Sequence, residues 1–572
     1  MSAEGLLEGL DPEQRVAAES LIGPVCLLAG AGTGKTRAIT HRIAYGVATG
    51  VYNESKVMAL TFTTRAAAEL RGRLRRLGAG GVAARTFHAA ALSQLAFFWP
   101  QVVGGTMPRL LEGKARLLGQ AAESLRIKVD TAALRDLAAE VEWRKVSGLS
   151  IDGYAASGRP APGTLALDRV VALQRAYEDL KDARRQIDFE DVLLAAAGMI
   201  ESEPRVAQQV REQYRFFVVD EYQDVSPLQE RLLRLWLGDR EDVCVVGDAS
   251  QTIYSFAGAS PEFLLGFPRR FPDATVVRLE RNYRSTPAIV ATANRLMRDR
   301  PGALTLTAAA GATGAGAPAE AAPTGGVPAG AIPTIDAFRS DAAEAREVAS
   351  RIAGLIAKGA RPQDIAVLYR INVQSVALAA ALDDAGVAHQ LRGGTRFFDL
   401  PEIKQAIMML KGAAIAKTQE QLFKTVSDVL RSLGWTQAAP ESGGAIRSRW
   451  ESLNTLMLLA EDQPAGTGLG DFVDELLERS AGQHDPTRAA VTLSTLHSAK
   501  GLEWDTVFLV GLQEGLVPIG YATSAAAIDE ERRLLYVGLT RARKGLHLSW
   551  SASGGQRSGE NARSRFLAEL ER

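Results

Sequence analysis

Residues 25–40, VCLLAGAGTGKTRAIT, place a glycine-rich turn between an apolar run of strand length and a helical pattern. Few features narrow a fold as far, because a buried strand must end, turn within a few residues and enter a helix, as in a β–α unit of a parallel sheet. Gly30, Gly32 and Gly34 allow main-chain N–H groups to curl around phosphate oxygens. Lys35 can then reach the terminal phosphates, and Thr36 can ligate Mg²⁺. The candidate nucleotide cradle is therefore Ala29, Gly30, Ala31, Gly32, Thr33, Gly34, Lys35, Thr36 and Arg37, with Ala29 standing where the strict pattern has glycine.

Other apolar runs repeat the arrangement. VMALTF, FFVVDE and VCVVGD alternate with helical patterns in the first part of the chain, which predicts a parallel sheet covered by helices. A second set, TIDAFRS, IAVLYRI, TLSTLHS, TVFLVGL and LHLSW, predicts another such sheet. After Ser340, Asp341 and Glu344 have capping spacing, Val348, Ile352, Leu355 and Ile356 share an apolar face, and Gly359 suits the stop. The fold class expected is α/β, with two parallel-sheet domains, each interrupted by a helical insertion.

The boundaries read from these patterns are a first α/β domain over 1–91 and 214–286, split by a helical insertion at 92–213. A second α/β domain covers 287–400 and 489–572, split by a shorter helical insertion at 401–488. Residues 306–333 are rich in Ala, Gly and Pro and poor in large apolar groups, so a mobile loop is expected there.

A length of 572 residues asks for several domains. Lys+Arg and Asp+Glu are both 66, which argues against a protein that binds polyanions by bulk attraction alone. A groove of aromatic rings can still hold a single strand by stacking. No apolar run is long enough to span a bilayer, and the acidic N-terminus MSAEGLLEGLDPEQ is unlike a secretory signal, so a cytoplasmic protein with no membrane partner is expected. Cys26 and Cys244 each sit in an apolar run and read as buried thiols, too few for a zinc module.

FFVVDEYQD ends a strand in two carboxylates. Asp220 is the candidate Mg²⁺ ligand, and Glu221 the group that orients or deprotonates an attacking water. Arg284 in LERNYRST and Arg541 in YVGLTRARK supply positive charge for a phosphoryl transition state. VVGDASQTIYSFAGAS puts the amide of Gln251 a few residues from two rings, Tyr254 and Phe256, which raises the question of what that amide donates to.

Taken in order, AGAGTGKT, TFTTRAAAEL, RTFHAAA, VVDEYQDV, VGDASQTIYSFAGA, LERNYRST, LHSAKGLEW and YVGLTRAR resemble the motif series of the UvrD/Rep/PcrA-type superfamily-one DNA helicases, from Gln14 to Arg543. The resemblance implies an ATP-hydrolysing, Mg²⁺-dependent motor moving 3′ to 5′ on single-stranded DNA or a 3′-tailed duplex, in repair or replication. It implies that Gln251 senses the γ-phosphate and that Arg284 and Arg541 approach it. Gln14 would meet the adenine edge, Tyr283 the base and Glu503 the ribose. Phe62, His88, Tyr254, Phe256 and His497 would form the DNA track.

Two departures stand out. Phe256 and Ala257 occupy positions where the family usually has a Trp-Arg pair, which removes a cation. Trp504 replaces a Phe. Family members also carry a larger second insertion and an aromatic hairpin after the last arginine motif, whereas Ser551 to Arg565 contains no aromatic residue. Strong translocation with weak unassisted unwinding is expected, along with a repair-protein partner that stimulates unwinding. Three alternatives remain open: the motor subunit of a helicase-nuclease, with the nuclease on a partner because the chain ends at Arg572; a nucleotide-regulated nucleic-acid-binding scaffold without turnover; and RNA as the substrate.

Overall fold

The computed structural model describes residues 2–129, 131–159, 161–162, 165–309, 331–372, 374–392, 398, 400–415, 422–437, 445–461, 463, 466–481, 489–553 and 561–571. The chain divides into two compact units, Met1–Gly30 with Gly34–Leu279, and Ala31–Thr33 with Glu280–Arg572.

In the first unit, strands β1 (Val25–Ala29), β2 (Val57–Thr61), β3 (Ala83–Thr86), β4 (Phe216–Val219), β5 (Val243–Gly247) and β6 (Thr275–Leu279) form one sheet in the order β3-β2-β4-β5-β1-β6. Every pair is parallel. Side chains alternate across a strand, so Val25, Leu27 and Ala29 enter one apolar core while Cys26 enters the core on the opposite face. Burial on both faces is why these strands read as continuous apolar runs. Ala29 is fully buried in its core, so a methyl group is accommodated where the strict pattern has glycine. Both cysteines are buried thiols.

The helical stretch 92–213 serves two cores. Helices Phe87–Val102 and Phe189–Ser202 supply Leu95, Val192 and Leu193 to the core under the sheet. Helices Lys114–Ser124, Thr131–Val146 and Leu167–Ala183 close around a separate cluster that includes Leu118, Val141, Leu173 and Tyr177. The sequence reads this stretch as helical but does not reveal which core each helix faces.

The second unit has its own six-stranded sheet: β7 (Thr334–Phe338), β8 (Ile365–Tyr369), β9 (His389–Arg392), β10 (Val491–Thr495), β11 (Trp504–Leu509) and β12 (Ala542–Ser551), in the order β7-β12-β11-β8-β10-β9 and again parallel throughout. Helices Pro401–Ile415, Leu422–Ser432, Ala445–Glu461 and Leu469–Ala481 pack around Ile403, Leu410, Leu430, Leu456 and Phe472 as a separate bundle.

Three details differ from the sequence expectations. Strands β3, β6 and β9 are short or carry polar residues (AART, TVVRL, HQLR), and their pattern does not announce them. The helix Asp341–Ala357 is capped by Ser340, whose hydroxyl accepts from the Ala343 N–H, while Asp341 and Glu344 bond Ser551 and Ser549 instead. Of the loop expected at 306–333, Thr307–Ala308 pairs with Arg281–Asn282 in a two-stranded ladder, and 310–330 lies outside the described residues. Among the described residues no helix is long and apolar enough to cross a membrane.

Candidate active site

Because the first sheet is parallel throughout, all its strands end at one edge, and the loops that follow β1, β4 and β5 gather there. After β1 the chain passes through Gly32 and Gly34 with φ of 70° and 81°, the left-handed region that glycine enters without strain, and starts the helix Lys35–Ala48. A Cβ on Gly34 would lie 2.6 Å from Gln14 Nε2. Gln14 is buried and belongs to a capping box, with its N–H donating to Asp11 Oδ1 (2.6 Å) and its Oε1 accepting from the Asp11 N–H (3.4 Å). Arg37 donates to the Gly9 carbonyl at 3.0 Å.

Lys35 Nζ lies 3.2 Å from Glu221 Oε1. Burial works against the ammonium, but Glu221, Asp248 and Asp220 together hold it above its ordinary value. Asp220, the residue after β4, is pushed up to about 7, first by burial and then by the neighbouring Glu221 charge, against the pull of Lys35. Its Oδ1 accepts the Glu221 N–H at 2.9 Å. Glu221 has φ of 53°, a left-handed conformation that non-glycine residues rarely adopt and that clusters at functional sites.

Gln223 fixes this turn to the next strand. Fully buried, it donates from Nε2 to Glu221 Oε2 (2.5 Å) and accepts at Oε1 from the Asp248 N–H (3.0 Å). The two bonds assign its amide orientation. Asp248 in turn accepts from the Ser250 N–H at 3.0 Å and from Gln251 Nε2 at 2.8 Å. Burial raises the Asp248 carboxyl, opposed by Lys35 and these hydrogen bonds. The amide of Gln251 thus donates to Asp248. Lys35, Glu221, Gln223, Asp248 and Gln251 form a continuous polar chain along the sheet edge.

The loop then carries Tyr254 and Phe256, with ring centroids 6.0 Å apart at 72°. Burial pushes the Tyr254 hydroxyl to about 12, whereas Phe256 is 56% exposed. Phe62 follows β2 and lies 6.4 Å from Phe87, partly in the core. His88 lies 5.9 Å from the exposed ring of Phe189 and is held at about 4 by burial and by Lys114.

In the second unit Asn282 accepts the N–H groups of Arg284 (2.9 Å) and Ser285 (2.8 Å) and donates to the Ala31 carbonyl (2.7 Å). Tyr283 N–H donates to the Gly32 carbonyl at 2.8 Å. A Cβ on Gly32 would strike Asn282 and Arg284 at 2.7 and 2.8 Å, so this position requires glycine for space as well as conformation. Arg284 pairs with Glu503 at 2.5 Å, and Arg543 binds the same carboxylate. Burial opposes the Glu503 carboxylate, but Arg284 and Arg543 hold it below its ordinary range.

Arg541 is buried and donates to the carbonyls of Val537 (2.9 Å) and Leu502 (3.2 Å) and to Thr540 Oγ1 (3.0 Å). His497, beyond β10, is held at about 4 by burial and by the charges of Arg370 and Lys500.

The first sheet edge therefore brings Lys35, Asp220, Glu221 and Gln251 together, and the second unit brings together Arg284 and Glu503. Sequence reasoning did not single out Gln223, Asp248, Asn282 or Arg543. The available signals were the amide in EYQD, the aspartate heading a turn in VGDAS and the asparagine opening NYRS.

Comparison with known proteins adds the family. The model described as UvrD/REP helicase N-terminal domain matches residues 10–272, and that of the UvrD-like helicase C-terminal domain matches 277–440 and 441–553. The chain is 46% identical over 590 residues to the ATP-dependent DNA helicase UvrD2 of Mycobacterium tuberculosis, covering 99% of this chain and 82% of the relative. It is 29% identical to DNA helicase II of Escherichia coli (100% and 88% covered) and 28% identical to the ATP-dependent DNA helicase PcrA of Bacillus subtilis (99% and 86%).

Proposed function

The chain belongs to the UvrD/REP helicase family and is an ATP-dependent DNA helicase; we propose that it moves 3′ to 5′ along single-stranded DNA in repair or replication. The observation that carries the catalytic part is the convergence of Lys35, Asp220, Glu221 and Gln251 at one edge of a parallel sheet. In this reading Gly30 to Gly34 bind the phosphates through main-chain N–H groups, Lys35 exchanges Glu221 for phosphate oxygen, and Glu221, so released, orients the attacking water.

Gln251 leaves Asp248 to reach the γ-phosphate, carrying the Tyr254–Phe256 loop with it. Arg284 and Arg541 answer the charge of the transition state. Gln14, Tyr283 and Glu503 bind the nucleoside. Phe62, His88, Tyr254, Phe256 and His497 contact the DNA. A hydroxyl from Thr36 and a carboxylate from Asp220 form an all-oxygen donor pair suited to Mg²⁺, which neutralises phosphate charge when bound.

ATPase rates measured with single-stranded DNA, RNA and duplex test the substrate. A single-strand preference is expected, and equal stimulation by RNA would overturn it. Displacement of streptavidin from the 3′ or the 5′ end of an oligonucleotide tests polarity, with release from the 5′ end expected.

We also propose that the isolated chain unwinds poorly. Opening each base pair costs about 1.4 kcal/mol of stacking, and Ser551 to Arg565 contain no ring to set against the last pair. Residues 554–560 of that segment lie outside the described residues. Efficient separation of a long tailed duplex by the purified chain would refute the idea, while stimulation by an added repair protein would fit it.

A further inference from the structure

Gln14 reaches the phosphate loop from a separate piece of chain, the short helix Pro12–Glu19, so whatever holds that helix decides where the amide stands. Its amino end is fixed by the capping box with Asp11. At its carboxyl end the Ser20 hydroxyl takes up the Val16 carbonyl, but the last turn has no basic residue of its own, and the remaining carbonyls need donors from elsewhere.

Those donors come from the helix Lys35–Ala48, which starts directly from the phosphate loop, and from the turn after it. Arg42 is 1% exposed, and its guanidinium donates to the carbonyls of Ala17 (2.9 Å), Ser20 and Leu21 (3.3 Å). The Tyr52 hydroxyl donates to the Leu21 carbonyl at 2.7 Å, and Gly46 makes room for the ring, since a Cβ there would strike it. On the same helix His41 Nδ1 donates to the Leu6 carbonyl at 2.6 Å, and Arg37 to that of Gly9 at 3.0 Å. The segment bearing Gln14 is thus clamped, carbonyl by carbonyl, to the helix bearing Lys35.

Arg42 is the centre of the clamp. A buried guanidinium without a carboxylate is costly, and Arg42 has no ion pair among the described residues. Its counter-charge is the negative end of the helix Pro12–Glu19, where the carbonyl dipoles gather. From Ser20 back to Gln14 the helix rises about 9 Å, so a tilt of about 10° about the clamped end carries the Gln14 amide about 1.6 Å. Hydrogen-bond lengths span only about 0.5 Å, so such a tilt breaks contact with a base. The phosphate-binding main chain from Gly30 to Gly34 lies outside the tilting segment and stays in place.

We propose that Arg42 is a positioning residue for base recognition: acting through the carboxyl end of the helix Pro12–Glu19, it sets the Gln14 amide where an adenine edge meets it, and so governs the choice between nucleotides. The proposal rests on the reading of Gln14 as the adenine contact. Adenine presents N7 as acceptor and its 6-amino group as donor, whereas guanine presents two acceptors on the same edge, and an amide held in one place distinguishes them.

The test is the base preference of the full chain, kcat/KM with ATP over kcat/KM with GTP at saturating single-stranded DNA. Gln14→Ala should lower this ratio about ten-fold, and Arg42→Met about as far, mainly through KM for ATP. Because the two residues act in series, the double variant should fall no further than either alone. Arg42→Lys, which keeps the charge and can still reach a carbonyl, should recover part of the ratio, and Tyr52→Phe should lower it about two-fold. If Arg42→Met does not fold, these two milder variants decide. A residue that only supports the fold would lower both kcat/KM values together. An unchanged ratio in every Arg42 and Tyr52 variant that folds, or losses that add in the double variant, would therefore overturn the proposal while leaving Gln14 as the adenine contact. An unchanged ratio in Gln14→Ala would overturn that reading and the proposal with it.

Discussion

The charged groups at the carboxyl edge of the first sheet and at the amino edge of the second are held in different ways. In the first unit the charged side chains are linked through other side chains: Lys35 pairs with Glu221, the neutral amide of Gln223 joins Glu221 to the Asp248 N–H, and the Asp248 carboxylate accepts from Gln251. In the second, Arg284 shares Glu503 with Arg543, while Arg541 is turned onto main-chain carbonyls. A lysine held by a carboxylate can exchange that partner for a phosphate oxygen at little cost, because both are anionic acceptors. An arginine among buried carbonyls would strand them by leaving, so it can offer a phosphate only the donor capacity those carbonyls do not hold. The first unit's chain is thus suited to rearrangement on ligand binding, and the second unit's Arg541 is tied to its own fold.

The largest effects should come from breaking the first unit's chain at its catalytic end. Lys35→Ala and Glu221→Gln are expected to lower ATP turnover by up to about 10⁴-fold. They should differ in binding, with Lys35→Ala losing nucleotide affinity and Glu221→Gln trapping ATP, as read by equilibrium binding of a fluorescent nucleotide. Turnover at the unaltered rate in Glu221→Gln would remove that residue from the chemistry.

The arginines sharpen the contrast. Arg284→Gln should cost about 10²- to 10³-fold in turnover with little change in melting, since Arg543 still holds Glu503. Arg541→Gln should in addition destabilise its unit by about 1–3 kcal/mol, because its carbonyl acceptors lose their donor. Equal melting of the two variants would erase the distinction.

Gln251→Ala leaves ATP and DNA binding largely in place but should remove most of the stimulation of ATPase by single-stranded DNA. A coupling of about 1–3 kcal/mol corresponds to roughly 5- to 150-fold, read from rate against DNA concentration. Gln223→Leu should lower turnover by about ten-fold and stability by about 1–3 kcal/mol, since the Asp248 N–H loses its acceptor.

The smallest effect is one the two units share. Burial holds His88 and His497 at about 4, below the ordinary 6.5. Unfolding lets each take up a proton between those values, so the stability they contribute is complete above pH 6.5 and is lost as pH falls toward 4. His88→Asn and His497→Asn should each flatten the fall in melting temperature across that window. A slope unchanged in both would mean that neither histidine is held neutral in the folded chain.

How far the site was legible follows from what each residue does. Gly32, Lys35, Asp220 and Glu221 show themselves because their chemistry needs those residue types at fixed offsets from an apolar strand. Gln223 and Asp248 do not, since an amide and a carboxylate near a strand end are ordinary turn residues until the fold sets them 3.0 Å apart. Strands β3 and β9 were missed for a related reason: AART and HQLR carry polar residues where a buried parallel strand would read as unbroken apolar sequence.

The sequence by itself determined two parallel α/β units, a phosphate loop at the end of one strand and the membership of the chain in a motor family, because strand-length apolar runs and glycine spacing are local constraints on backbone and burial. Tertiary structure alone decided the order of the strands, which helices of the first insertion serve the sheet and which their own core, and the partners of each charge. Those choices depend on groups far apart in the chain. Gln223 meets Asp248 across 25 positions, and Arg284 meets Glu503 across 219. Pairing between such groups is set by packing and desolvation in three dimensions, and no local pattern encodes it.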